Sequence, residues 1–140
     1  MPQSIREVMT ADPRTIEADA AISEAAQVMR DADVGSLVVI EGSDVCGIIT
    51  DRDIVVRAVA DGRDLKQTQV VDVCSRELTT LAPTDSVDDA VKLMRQKAIR
   101  RLPVVGESGR LVGIVSLGDL AVEQDPGSAL GDISASRSNR

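Results

Sequence analysis

Apolar residues along this chain follow two alternating periods. Ile22, Ala25, Ala26 and Met29 fall at i, i+3, i+4 and i+7, the spacing of one helical face. Two apolar runs follow at 37–40 and 45–49, rich in β-branched residues and separated by Glu41-Gly42-Ser43-Asp44. They predict buried strands joined as a hairpin. A short extended piece at Thr15-Ile16 precedes the helix. A second helix is expected to open near Asp51 and to stop at Gly62, a residue suited to a left-handed helix end.

The whole pattern occurs twice. Shifted by 65 positions, residues 5–44 lie on 70–109 without a gap: Thr15 meets Thr80, Met29-Arg30 meets Met94-Arg95, and Leu37 meets Leu102. After one inserted residue, Arg110, the shift becomes 66, and GIITDRD (47–53) falls on GIVSLGD (113–119). The second copy therefore predicts a helical face at Val87, Ala90, Val91 and Met94, opened by a Ser86/Asp89 capping box. Strands at 102–105 and 111–115 and a helix from Gly118 come next. Each copy reads β-α-β-β-α, an α+β fold with α/β-like order. One copy alone buries little surface, so the two are expected to pack through their sheets and share one core. The first copy with its lead-in spans 1–62, a linker 63–69, the second copy 70–123, and a disordered tail 124–140. Residues 70–74 echo 5–9 as a lead-in turn.

Composition removes whole classes of chemistry. The 140 residues include no His, Phe, Tyr or Trp. Histidine-activated nucleophiles, His-ligated metal sites and aromatic stacking on bases are excluded. Nothing in the chain resembles an activated nucleophile or an acid/base pair, so no enzyme activity and no catalytic cofactor are expected. A net charge of −7 argues against nucleic-acid binding. No apolar run approaches the ~20 residues of a membrane span. Cys46 and Cys74 read as small core residues, reduced in a cytoplasmic protein. No Cys-x-x-Cys or ligand cluster suggests a metal.

The repeated element with chemical content is Thr50-x-x-Asp53 and Ser116-x-x-Asp119 at a strand-to-helix junction. One reading is a capping box at a helix start. The other uses the same geometry to bind a ligand: free N–H groups and a hydroxyl for phosphate, and a carboxylate for a ribose diol. Arg52 either neutralises its acidic neighbours or reaches a phosphate.

These features resemble the CBS domain pair, or Bateman module. The carrying residues are Gly47, Thr50 and Asp53, then Gly113, Ser116 and Asp119, together with IRRLPVV at 99–105. The likeness covers residues 4–122 and is nearest to small stand-alone bacterial two-CBS proteins whose first copy carries TDRDI. It implies a pseudo-two-fold, non-catalytic regulatory module, commonly a homodimer. It implies clefts for AMP, ADP, ATP or S-adenosylmethionine, read by an unknown protein partner. The alternative is a ligand-independent dimeric adaptor or stress-response protein that binds another protein.

Carried onto this chain, the second-copy site is expected at Thr80, Ile99, Arg100, Arg101, Ile114, Ser116 and Asp119. The weaker first-copy site is expected at Thr15, Val34, Ile48, Thr50 and Asp53. Val34, Ile48, Ile99 and Ile114 read either as core or as an aliphatic clamp for adenine. Arg100 and Arg101 stand where related modules place phosphate-contacting basic residues, whereas the first copy has Gly35 and Ser36. Residues 5–60 carry five Arg against eleven Asp/Glu, while 70–122 carry seven of each sign. An anionic ligand should therefore prefer the second copy.

Overall fold

A computed structural model of the chain describes residues 4–76 and 78–124, with side-chain surroundings up to Ala121. Of the disordered tail expected at 124–140, Gln124 instead ends the last helix, and 125–140 lie outside the described residues. In chain order the elements are α1 (Ile5–Val8), β1 (Thr10–Ala11), β2 (Thr15–Glu17), α2 (Ile22–Ala32), β3 (Ser36–Glu41), β4 (Asp44–Thr50) and the single turn α3 (Asp51–Asp53). A π-helical stretch (Ile54–Val59) and a 3-10 turn (Val70–Asp72) follow, then α4 (Val87–Lys97), β5 (Arg101–Val105), β6 (Leu111–Ser116) and α5 (Leu117–Gln124). The chain divides into two compact units. The first is Arg14–Leu78; the second joins the described residues up to Pro13 with those from Thr79 onward.

In the first unit β2 pairs parallel with β3, and β3 pairs antiparallel with β4. Ser75 adds an antiparallel bridge to Ile48, with Ser75 N–H on the Ile48 carbonyl at 2.9 Å. In the second unit Leu81 bridges parallel to Val104 in β5, β5 pairs antiparallel with β6, and β1 pairs antiparallel with β6. The two sheets share one layout and one irregularity. The register slips between Val39 and Ile40 in one and between Val104 and Val105 in the other, leaving Cys46 and Val112 as the extra residues of β-bulges.

The expectation of one shared core is corrected. Buried side chains gather in two clusters, one inside each unit. Each unit completes its own core with a lead-in segment. Ile5, fully buried, joins Leu81, Val87, Ala90, Met94, Leu102, Val104, Val115 and Leu120 in the second. Val70, Val73 and Cys74 join Ile16, Ile22, Ala25, Met29, Leu37, Val39 and Ile49 in the first. The lead-in preceding each repeat in sequence thus belongs to the unit that holds the other repeat. Residues expected as a linker are also folded: the carbonyls of Leu65 and Thr68 accept from Ser23 and Ile22 N–H at the start of α2.

Three local expectations need adjustment. Ala26 is exposed, because the buried stripe of α2 is the narrower Ile22, Ala25, Met29. The Ser86 hydroxyl accepts from Asp89 N–H at 3.1 Å, the hydroxyl half of the expected box. The helix after Asp53 is π rather than α, with Ala60 N–H on the Val55 carbonyl. Gly62, at φ +70, takes the left-handed conformation expected at the end of this segment.

Candidate functional site

The glycine of the repeated motif has a packing cause. A Cβ at Gly47 would collide with the Ser75 carbonyl oxygen, and one at Gly113 would meet the Thr10 carbonyl oxygen at 2.9 Å. Only a bare Cα lets the lead-in backbone cross the hairpin there. Three and four residues later come the serine or threonine and the helix start.

Both Ser/Thr-x-x-Asp boxes are closed in full. Thr50 N–H donates to Asp53 Oδ2 at 2.9 Å, and Asp53 N–H donates to Thr50 Oγ1 at 3.1 Å. Ser116 N–H donates to Asp119 Oδ2 at 3.0 Å, and Asp119 N–H donates to Ser116 Oγ at 3.1 Å. Capping therefore uses one carboxylate oxygen of each Asp. The other oxygen of Asp53 lies 3.8 Å from Arg57 Nε, one helical turn on. The expected neutralisation by Arg52 is thus supplied by Arg57; Arg52 instead donates its backbone N–H to Asp51 Oδ1 at 2.8 Å.

In the second unit, strand alternation sorts the expected residues onto two sides. Gly113 and Val115 are buried, and Val115 belongs to the core, so Ile114 and Ser116, both half-buried, lie on the opposite face of β6. Arg101 pairs with Ser116 and Pro103 with Ile114 on that face. Thr80, exposed, precedes core residue Leu81 and reaches the same face beside β5. Asp119 is half-buried at the first turn of α5. Ile99 and Arg100 lie elsewhere. They line a groove of about 430 Å³ with Val91, Met94, Arg95, Ala98 and Leu117, between the end of α4 and the start of α5. The two sides meet where Leu117 N–H donates to the Arg100 carbonyl at 2.8 Å.

The first unit repeats the framework with different charge. Thr15 pairs with Val38, Val38 with Ile48, and Ser36 with Thr50, while Val34 is 37% exposed. Asp51 N–H donates to the Gly35 carbonyl at 3.0 Å. The Asp51 carboxylate stands against Gly35, 3.3 Å from a Cβ placed there. A carboxylate thus occupies the region where the second unit presents Arg100. The same framework carries a carboxylate in one unit and a guanidinium in the other.

Sequence reasoning did not single out Arg95 or Leu117. Arg95 recurs as Arg30 in the first copy, where Arg30 Nε lies 3.0 Å from Asp31 Oδ1. The available signal was the loss of neighbouring acids, Asp31 to Gln96 and Asp33 to Ala98.

The cysteines are kept as thiols. Burial, then Glu41, raises the Cys46 thiol above its ordinary 9.0. Burial, then Cys46, does the same for Cys74. Neither environment favours a reactive thiolate. Among the described residues no group of three or more His, Cys, Asp or Glu could hold a metal, and no helix is long and apolar enough to cross a membrane.

Comparison with known proteins accords with this geometry. The CBS domain family pattern matches residues 5–59 and again 70–124. The chain is 46% identical over 135 residues to the CBS domain-containing protein YhcV of Bacillus subtilis, covering 94% of this chain and 95% of that one. The crystal structure of Hypoxic Response Protein I with two coordinated zinc ions superposes with a TM-score of 0.77 at 30% identity, covering 85% and 97%. The structure of CBSX2 in complex with AMP superposes with a TM-score of 0.72 at 20% identity, covering 84% and 93%. That last likeness is one of fold.

Proposed function

From the premise that this chain belongs to the CBS-domain family and carries two such domains, we propose that it is a non-catalytic sensor of adenosine-containing nucleotides. AMP, ADP, ATP or S-adenosylmethionine is held chiefly by the second unit. The observation that carries this reading is the Ser116–Asp119 box with Arg101 opposite Ser116 on β5 and Arg100 around the corner, where its carbonyl accepts from Leu117 N–H. The hydroxyl and one carboxylate oxygen hold the helix start, while the second carboxylate oxygen is left to accept from a ribose diol. Ile114 supplies aliphatic surface for a base on the Ser116 face and Ile99 supplies it at the adjoining groove, while Thr80 and the two arginines supply polar contacts. The AMP in the CBSX2 structure supports the ligand class. Thr15, Val34, Ile48, Thr50 and Asp53 form the weaker counterpart. The protein acts in the cytoplasm as a homodimer and passes ligand occupancy to a protein partner as a shift between conformations.

Isothermal titration with the four ligands tests this. Asp119→Ala is expected to weaken binding more than Asp53→Ala. Absence of heat and of thermal shift at millimolar ligand would sink the reading.

A second reading, a ligand-independent adaptor, is favoured by one observation. Val55, Val56 and Val59 on the π-helical stretch are 58%, 46% and 54% exposed, an apolar strip suited to a protein surface. Partner capture unchanged by combined Ser116→Ala and Asp119→Ala would favour it.

A further inference from the structure

The groove between α4 and α5 of the second unit lies around the corner from the face that carries Ile114 and Ser116. Its lining combines an apolar floor with two guanidiniums. Val91, Met94, Ala98, Ile99 and Leu117 supply the floor, and Arg95 and Arg100 the charge. Neither arginine makes an ion pair among the described residues; both ion pairs found there lie in the first unit.

The repeat supplies an internal control. Arg30 occupies the position of Arg95 and is paired with Asp31. Asp33, Gly35 and Asp51 hold the positions that correspond to Ala98, Arg100 and Leu117. The second copy replaces Asp31, Asp33, Gly35 and Asp51 by Gln96, Ala98, Arg100 and Leu117. Three carboxylates are removed and one guanidinium is added at positions ringing the same framework. An ordinary solvated surface needs no such concerted change. A groove selected for a multiply charged anion does, since each neighbouring carboxylate would oppose it and each unpaired guanidinium offers a fork of donors.

We infer that this groove receives the terminal phosphates of a nucleotide polyphosphate, with Arg95 reading phosphate number. The inference rests on the nucleotide reading above and deepens it. A monophosphate beside Ser116 meets Arg101 on that face; a longer phosphate chain turns the corner at the Leu117–Arg100 contact and meets Arg100 and Arg95. The site therefore prefers tri- and diphosphates to AMP.

The test is isothermal titration of the full chain with ATP, ADP, AMP and inorganic tripolyphosphate, at fixed ionic strength, for wild type and for Arg95→Gln and Lys97→Gln. Lys97 is an exposed cation at the end of the same helix that does not line the groove. Arg95→Gln is expected to weaken ATP and tripolyphosphate by about tenfold, the loss typical of one charge-assisted contact. AMP should stay within twofold, and Lys97→Gln should leave all four within twofold. Equal weakening of AMP and ATP by Arg95→Gln, or equal weakening of ATP by both variants, overturns the inference while leaving nucleotide binding standing. Tripolyphosphate binding that depends on Arg95 with no nucleotide binding retains the groove and removes the adenosine reading. Binding of none of the four ligands removes both.

Discussion

Ser116 and Asp119 each satisfy the other's backbone N–H, at 3.0 and 3.1 Å. The motif that marks the repeats is therefore a structural device before it is a binding device. Ser116→Ala should lower stability by about 1 kcal/mol in urea unfolding, because Asp119 N–H loses its acceptor at a half-buried helix start. Ser116→Thr keeps the acceptor, as Thr50 does in the first unit, and should recover most of that loss. An alanine variant as stable as wild type would show that the box holds nothing.

The motif glycines make a sharper contrast. Gly47→Ala and Gly113→Ala push a methyl onto a crossing backbone carbonyl. Each should cost about 2–3 kcal/mol or prevent folding. Gly106→Ala meets only the Val112 side chain at 3.6 Å and the Arg110 carbonyl at 3.7 Å, ordinary contacts. Its effect should stay within about 0.5 kcal/mol. Chemical denaturation of the three variants in parallel measures this, and similar losses at Gly47 and Gly106 would remove the crossing argument.

Ile5 is fully buried in the second unit although it opens the first repeat in sequence. Ile5→Ala should cost about 2–5 kcal/mol. Amide exchange should rise first in β5, β6 and α5 rather than in β3 and β4. Loss of protection confined to the first unit would contradict the exchange of lead-ins.

The thiols set an alkaline limit. Both are raised in the folded chain, so the unfolded chain gives up its thiol protons first as pH rises. The unfolded state then binds fewer protons, and stability falls. This contribution is fully present below the ordinary value of 9.0 and is lost as pH climbs through the raised folded values. Thermal melts from pH 7 to 10 should slope downward, and Cys74→Ala should flatten the slope. An unchanged slope would assign the alkaline loss to other groups.

Local pattern was enough to read the helical stripes at Ile22 and Val87, both hairpins and both capping boxes. It identified the family as well, because the repeat compares the chain with itself. What it could not supply was long-range partnership. The echo between residues 5–9 and 70–74 was visible, but which sheet each lead-in joins depends on pairings such as Thr10 with Ile114 and Ser75 with Ile48, far apart in sequence. The same limit hid the core arrangement and the role of Gly47. In the candidate site, Arg100 could be read from its place before β5. Arg95 could not, because a lone arginine on a polar helix face looks like solvation until Ile99 and Leu117 are placed beside it. The π-helical register after Asp53 has a period that the short apolar run at Ile54–Val59 does not distinguish from that of an α-helix.

The crossed lead-ins also impose an order in time on a chain made from its N-terminus. The first unit lacks part of its core until Val70, Val73 and Cys74 have been synthesised, and can then close at once. Ile5, made long before, has no core to enter until Leu120 exists. Ile5, made before the whole of the first unit, is thus placed only after that unit is complete. A circular permutant beginning at Arg14 would make each unit continuous and relieve that wait.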